Sequence, residues 1–295
     1  MAGKKNSQEK RQQVSNILSI DWEDYYHATG FADAAPYHRW DRFASRIEFS
    51  LDMILEALEN QSATFFILGW EAEQRPQLIK RISDAGHEIA THGRYHRLLT
   101  SMTPEEFRND IESCKKRLED ITGKPVLGHR APSFSITGEN EWVFEELAKQ
   151  GFKYDSSVYP VKRSRGGMEG TSFYPHKVAT SAGSIREFPL ATVKIAGKRI
   201  PAAGGGFFRM YPYILTKYAI TRNNAAGIPV VVYLHPWEFD YLQPRLKSIF
   251  TSNGFKHYVN IRRNFRKFTK LLRDFEFISF RDYLECSPEH DSGLD

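Results

Sequence analysis

Residues 87–96 read His-Glu-Ile-Ala-Thr-His-Gly-Arg-Tyr-His. The apolar pair Ile89-Ala90 gives way to His92, Gly93 and, four places after the first, His96. Gly93 argues against a helix interior, where glycine costs about 1 kcal/mol. A short buried strand ending in a loop fits better, with the two histidines converging because the loop turns. Neutral imidazole is the commonest protein metal ligand, and two at short spacing can fill two corners of one coordination shell. The chain holds 10 histidines, so the pair gains meaning only if a carboxylate, a proton donor and a charge partner stand in similar places.

Outward from that stretch, short apolar strands alternate with amphipathic helices. Residues 16–21 predict a strand ending in Asp21, followed by Trp22, Glu23 and Asp24. Ile47, Leu51, Ile54, Leu55 and Leu58 recur at helical spacing over 43–58, and 63–68 read as a buried strand. A helix over 77–85 has Pro76 near its start and Gly86 at its end. Thr103-Pro104-Glu105-Glu106 opens the next helix, to about residue 121, with an N-cap, a first-turn proline and acids. Strands at 126–130 and 152–155 flank a helix at 138–150. Residues 161–206 predict an irregular β-rich insertion. A helix at 211–226 precedes a strong strand, 228–235, and a helix at 258–273 and a strand at 277–279 follow.

This alternation implies an α/β fold with a parallel sheet covered by helices. Asp21, His92, Arg130, Asp155 and His235 each stand at or just past the end of a predicted strand. Polar residues at successive strand ends point to loops ringing one pocket, which favours a β/α barrel over an open doubly wound sheet. Residues 1–15 are expected to be a disordered leader and 16–295 a single domain.

Composition narrows the class. Hydrophobic residues make up 41% of the 295 and aromatics 14%, ample for a globular core. The net charge of +5 is spread over short basic runs such as Lys115-Lys116-Arg117, so no nucleic-acid partner is expected. Two cysteines, Cys114 and Cys286, do not make a disulfide framework. No transmembrane segment and no secretory signal are read, and a cytoplasmic location is expected.

The ordered motifs resemble those of the NodB-like polysaccharide deacetylases, carbohydrate esterases that remove acetyl groups from N-acetylated sugars. Ser-Ile-Asp-Trp-Glu-Asp (19–24) is similar to the family's Asp-rich first motif, and Ala-Thr-Phe-Phe-Ile (63–67) to its next strand. Thr-His-Gly-Arg-Tyr-His (91–96) resembles its His-x-x-x-His motif, Arg-Ala-Pro-Ser-Phe (130–134) its Arg-x-Pro motif, Asp155 its fourth, and Leu-His-Pro (234–236) its last. Asp-Trp-Glu-Asp-Tyr, Tyr-Asp-Ser-Ser and Gly-Gly-Gly-Phe-Phe-Arg look like one subfamily, encoded with exosortase-type exopolysaccharide clusters in bacteria. The resemblance covers about residues 17–236.

It implies a distorted (β/α) barrel of about seven parallel strands and hydrolysis of N-acetyl groups on N-acetylhexosamine units of a bacterial exopolysaccharide or its precursor. It also implies association with exopolysaccharide synthesis machinery. His92, His96 and one carboxylate would hold a divalent ion, with Zn²⁺ expected. Asp21 would be the general base, Arg130 its charge partner, and the Ser133 N–H an oxyanion donor. His235 would be the general acid, oriented by Asp155. The family's first motif usually has two adjacent aspartates; here Trp22 intervenes, and the third ligand is open between Glu23 and Asp24, with strand alternation favouring Glu23. Phe134 would meet substrate near Ser133, where the family usually has an aromatic. Gly204 to Arg209 would form a substrate wall at Gly205 with Arg209 as a sugar or anion contact, and Trp237 and Glu238 would line the same pocket. Two rival functions remain: a glycan-binding relative without catalysis, and a non-haem iron oxygenase built on the same facial triad.

Overall fold

The computed structural model describes residues 14–202, 204–247 and 250–286. The expected leader lies almost wholly outside the described residues.

Alternation along the first strand, β1 (Asn16–Trp22), creates two environments. Leu18, Ile20 and Trp22 enter the larger core, which they share with Ile47, Leu51 and Ile54 of the first helix, α1 (Ile47–Ala57). Ile17 enters a second core with Phe66, Phe134, Tyr154 and Tyr233. By alternation Ser19 and Asp21 share that second face.

The remaining strands are β2 (Thr64–Ile67), β3 (Glu88–Thr91), β4 (Gly128–His129), β5 (Tyr154–Asp155), β6 (His176–Thr180), β7 (Gly183–Glu187), β8 (Thr192–Ile195), β9 (Lys198–Pro201), β10 (Val231–Leu234) and β11 (Phe277–Ile278). The main sheet has nine strands in the order β10-β1-β2-β3-β4-β5-β7-β6, with β11 also beside β1. From β10 to β7 every neighbour is parallel, which gives the seven strands of the expected distorted barrel. No ladder joins the two ends of the sheet among the described residues. The sheet curls instead, and the rings of Phe134 and Tyr233 meet across its concave side with centroids 4.6 Å apart.

Helices α2 (Gly69–Gln74), α3 (Pro76–Asp84), α4 (Pro104–Thr122) and α5 (Trp142–Lys149) link the strands from β2 to β5. The N-cap reading of α4 holds: Thr103 and Glu106 form a reciprocal capping box, and Gly123 ends the helix in the left-handed conformation. Three stretches differ from the sequence reading. Within 161–206, β6 and β7 extend the main sheet, so β7 supplies the seventh parallel strand; only β8 and β9 form a separate two-stranded sheet. The region after 204 carries two helices, α6 (Gly205–Met210) and α7 (Tyr213–Ala225). The expected 258–273 helix is α9 (Ile261–Asp274), separated from α8 (Ser252–Tyr258) by Asn260 at φ 55°. The chain's last described helix is α10 (Phe280–Cys286).

Cys114 is buried, as a structural thiol should be; burial pushes it up to about 12, and the Thr91 hydroxyl donates to its sulfur. No described helix is long and apolar enough to cross a membrane.

Gly128 is the tightest point in the sheet. A Cβ there would fall 1.9 Å from the Tyr154 ring, which is buried and fixed by its hydroxyl donating to Glu88 at 2.9 Å. Gly128→Ala should lower stability by about 2–3 kcal/mol, the upper part of the range for overpacked cores. A denaturant-midpoint shift equivalent to less than about 0.5 kcal/mol would contradict this contact.

Candidate metal centre and active site

Strand register lines up the polar residues. Thr91 pairs with His129, so the next residues, His92 and Arg130, emerge together; Ile20 pairs with Leu234, so Asp21 and His235 do the same. Glu23 follows Asp21 by two positions and keeps to the same face after a tight turn in which its N–H donates to the Asp21 carbonyl at 2.9 Å.

Glu23 Oε1 lies 2.9 Å from His96 Nε2 and 3.1 Å from His92 Nε2. One donor atom from each of the three residues lies within 4.8 Å of the other two, and all three side chains are buried. The other ring nitrogens are occupied. His92 Nδ1 is 2.8 Å from the Arg130 carbonyl, which can only accept, so Nδ1 carries the proton and the Nε2 lone pair faces the cluster. His96 Nδ1 is 3.3 Å from the Thr29 hydroxyl. Burial alone would raise the Glu23 pKa, but His96, His92 and His235 together hold it well below the usual carboxylate range. An anionic oxygen and two inward imidazole nitrogens fit a divalent cation such as zinc, with three protein ligands and room left for water and substrate.

The His-bearing loop is tightly built. Gly93 has φ 72°, and a Cβ there would meet Asp110 Oδ2 at 2.9 Å; the same oxygen accepts the Arg94 N–H at 2.8 Å. His96 has φ 53°, and Ser133 and Phe134 have φ 54° and 57°, three non-glycine residues in the left-handed region beside one pocket.

Asp24 is placed elsewhere. Its carboxylate accepts from Ser45 Oγ at 2.7 Å, Arg46 N at 2.8 Å and Tyr25 N at 2.9 Å. It thus anchors the residues just before α1, on the side away from the histidines, because the chain has turned after Glu23. Of the two candidate third ligands, the structure brings Glu23 to the cluster.

Arg130 is fully buried and makes four hydrogen bonds: to Asp21 Oδ1 and Ser19 Oγ at 2.7 Å, and to the Ser156 carbonyl and hydroxyl at 2.9 Å. Asp21 Oδ2 lies 3.8 Å from His235 Nε2, which is also 4.0 Å from Glu23 Oε1.

The expected Asp155–His235 contact is absent. Tyr154 points into the concave core, so alternation turns Asp155 to the helix-covered face. There it is 2.6 Å from Nδ1 of His129, its register partner, and accepts from Ser157 Oγ at 2.8 Å. Glu238 takes the place beside His235, with Oε1 2.8 Å from Nδ1. Pro236–Glu238 form a 3-10 turn that folds position i+3 back onto the histidine. Although burial opposes it, Glu238, Glu23 and Asp21 raise the His235 pKa to about 9, which favours the protonated ring.

Arg209 is buried and ion-paired with Glu238, with its guanidinium 4.8 Å from the Trp237 ring centre. It therefore holds Glu238 while also reaching the pocket wall. Gly205 does not line the pocket; its left-handed φ of 48° lets α6 pass over Tyr233, whose ring a Cβ would meet at 2.8 Å. Its neighbour Gly206 lines the pocket with Asp21, Glu23, His96, Ser133 and Trp237. Phe134 reaches the same pocket and packs against Tyr233.

Known proteins resemble parts of this chain. Residues 50–154 match the family model described as polysaccharide deacetylase, and residues 156–285 match a domain of unknown function (DUF3473). A peptidoglycan-N-acetylglucosamine deacetylase of Bacillus cereus is 39% identical over 136 residues, 43% of this chain and 48% of the relative. A peptidoglycan deacetylase-like protein of Gibberella zeae is 29% identical over 161 residues, 51% of this chain and 45% of the relative. The matched segments thus span about half the length of these curated relatives. The crystal structure of a putative polysaccharide deacetylase from Mycobacterium smegmatis has the same fold, with TM-score 0.60 and 20% identity over 92% of this chain and 90% of the other. Residues 50–154 thus resemble the polysaccharide deacetylase family, and the fold is that of the Mycobacterium smegmatis structure. Asp21 and Glu23 precede the matched deacetylase segment, and His235 lies in the segment matched by the domain of unknown function.

Glu238 leads the carboxylates that raise the His235 pKa, ahead of Glu23 and Asp21. Removing its charge with Glu238→Gln should lower that pKa, so the protonated, donating form is lost at lower pH. The alkaline limb of kcat/KM should move down by about 1 unit. An unmoved limb would contradict the Glu238–His235 coupling.

Proposed function

We propose that this chain is a metal-dependent deacetylase that hydrolyses the acetamide of N-acetylhexosamine units in a bacterial polysaccharide, releasing acetate and a free amine. The observation that carries this reading is the placement of a carboxylate paired with arginine, Asp21, and a histidine, His235, 3.8 Å apart and beside Glu23, His92 and His96. A divalent cation, with zinc the proposed ion, would act there as a Lewis acid on the acetamide carbonyl and on water.

The chain's own groups supply the proton transfers. Asp21, held by Arg130 through Oδ1, accepts a proton from the attacking water through Oδ2. His235 donates from Nε2 to the departing amine nitrogen as the C–N bond breaks, and Glu238 stabilises the imidazolium through Nδ1. Ser133, held in its left-handed conformation next to the cluster, offers its N–H to the oxygen that gains charge. Phe134, Arg209 and Trp237 shape the sugar pocket. The resemblance of residues 21–25, 130–136, 154–157 and 204–209 to the exosortase-associated subfamily favours an exopolysaccharide, or its precursor, as the polymer and its synthesis machinery as the partner.

The test is acetate release from N-acetylglucosamine oligomers and from candidate exopolysaccharides, with chelator and with zinc restored. Release should require the metal, and His235→Ala should reduce kcat by about 10²–10⁴-fold, the usual contribution of a general acid. No release with any divalent metal would overturn the proposal.

A further inference from the structure

Outside the catalytic cluster, the pocket carries positive charge that no carboxylate among the described residues neutralises. Its two lining carboxylates are already engaged, Asp21 with Arg130 and Glu23 with the histidines. Arg163, Arg165 and Lys256 line the same pocket. Among the described residues neither arginine has a carboxylate within ion-pair distance, and Arg163 Nη1 is buried without a hydrogen-bond partner. The Arg165 pKa is lowered by burial and then by the like charge of Arg163, which matches two cations with no counter-ion.

The loop that carries them is built into place. The Gly167 N–H donates to the Ile136 carbonyl and the Met168 N–H to the Tyr159 carbonyl, both at 2.9 Å. A Cβ on Gly166 would fall 2.0 Å from the Phe134 carbonyl oxygen, so this backbone lies directly on the strained Ser133–Phe134 turn. The Arg163 guanidinium stands over the Tyr159 ring, 4.3 Å from its centre. A stacked, planar guanidinium with a free edge suits a carboxylate or phosphate, which it can grip with two parallel hydrogen bonds.

We infer that Arg163 and Arg165 form an anion subsite of this pocket, and that the preferred substrate carries an acidic group on or next to the N-acetylated sugar. The inference rests on the deacetylase reading for the identity of the sugar, but its test needs no turnover. Binding is measured by calorimetry in chelator with three probes. These are an oligosaccharide alternating N-acetylglucosamine and glucuronate, a neutral N-acetylglucosamine oligomer of equal length, and a nucleotide diphosphate-linked N-acetylglucosamine.

At low salt an acidic probe should bind at least about tenfold more tightly than the neutral one, with the gap closing as salt rises. Tighter binding of the uronate probe identifies a carboxylate source, and tighter binding of the diphosphate probe a phosphate source. The preference should fall in the exposed-site variant Arg165→Gln and approach one in Arg163→Gln/Arg165→Gln; should the double variant not fold, the single variant and the salt series decide. Equal or undetectable binding of all probes, or a preference unchanged in Arg165→Gln and insensitive to salt, overturns the inference. An acidic preference in a chain that releases acetate from no substrate would leave the anion subsite standing and remove the deacetylase reading.

Discussion

A buried guanidinium anchors this molecule. Arg130 has no solvent exposure, and desolvating an isolated charge costs several kcal/mol unless it is paired and its donors are satisfied. Its partners come from two strands of the sheet, Asp21 and Ser19 of β1 and Ser156 just past β5, with Arg130 itself one residue past β4. The Phe66 ring of β2 lies 4.1 Å from its guanidinium carbon. The pair can form only if the sheet curls enough to bring β4 over β1. The carbonyl of Arg130 also orients His92, so one residue both pairs with Asp21 and sets the tautomer of a candidate ligand.

The rest of the site follows from strand alternation. Asp21 and Glu23 share the concave face, His235 joins them two places after Tyr233, and Asp24 leaves it. The opposite face holds a second histidine–carboxylate pair, His129 with Asp155, beside Glu187, whose pKa burial and Asp155 raise well above the usual range. That pair is enclosed and ties β4, β5 and β7 together. The pair His235–Glu238 opens onto the pocket and is backed by Arg209. Two similar pairs thus serve different ends, set by the face each occupies.

Much of this was legible in the sequence. Polar residues at the ends of apolar strands revealed a ring of loops, and a two-residue period favoured Glu23 as the third ligand. Partner choice for Asp155 was not legible from motif order, because it depends on which face Tyr154 claims once β5 lies beside β4. Glu238 could have been found: Pro236 after a strand-ending histidine starts a tight turn, which returns position i+3 to position i. Residues 183–187 fall within the stretch read as an irregular β-rich insertion; that they are the seventh strand of the main sheet shows only in their pairing with β5. The break at Asn260 was masked by helical periodicity on both sides of it. Gly205 was misread because a glycine demanded by close packing on Tyr233 has the same sequence appearance as one demanded by a ligand.

The central claim is that Glu23, His92 and His96, and not Asp24, hold a divalent ion. Zinc stoichiometry and affinity of the purified chain test it most directly, compared with Glu23→Gln and Asp24→Asn. One ion per chain is expected in the wild type and in Asp24→Asn. Glu23→Gln should lose more affinity than the about 10–100-fold typical of changes outside the coordination shell. Tight zinc binding that survives Glu23→Gln and vanishes in Asp24→Asn would contradict the account.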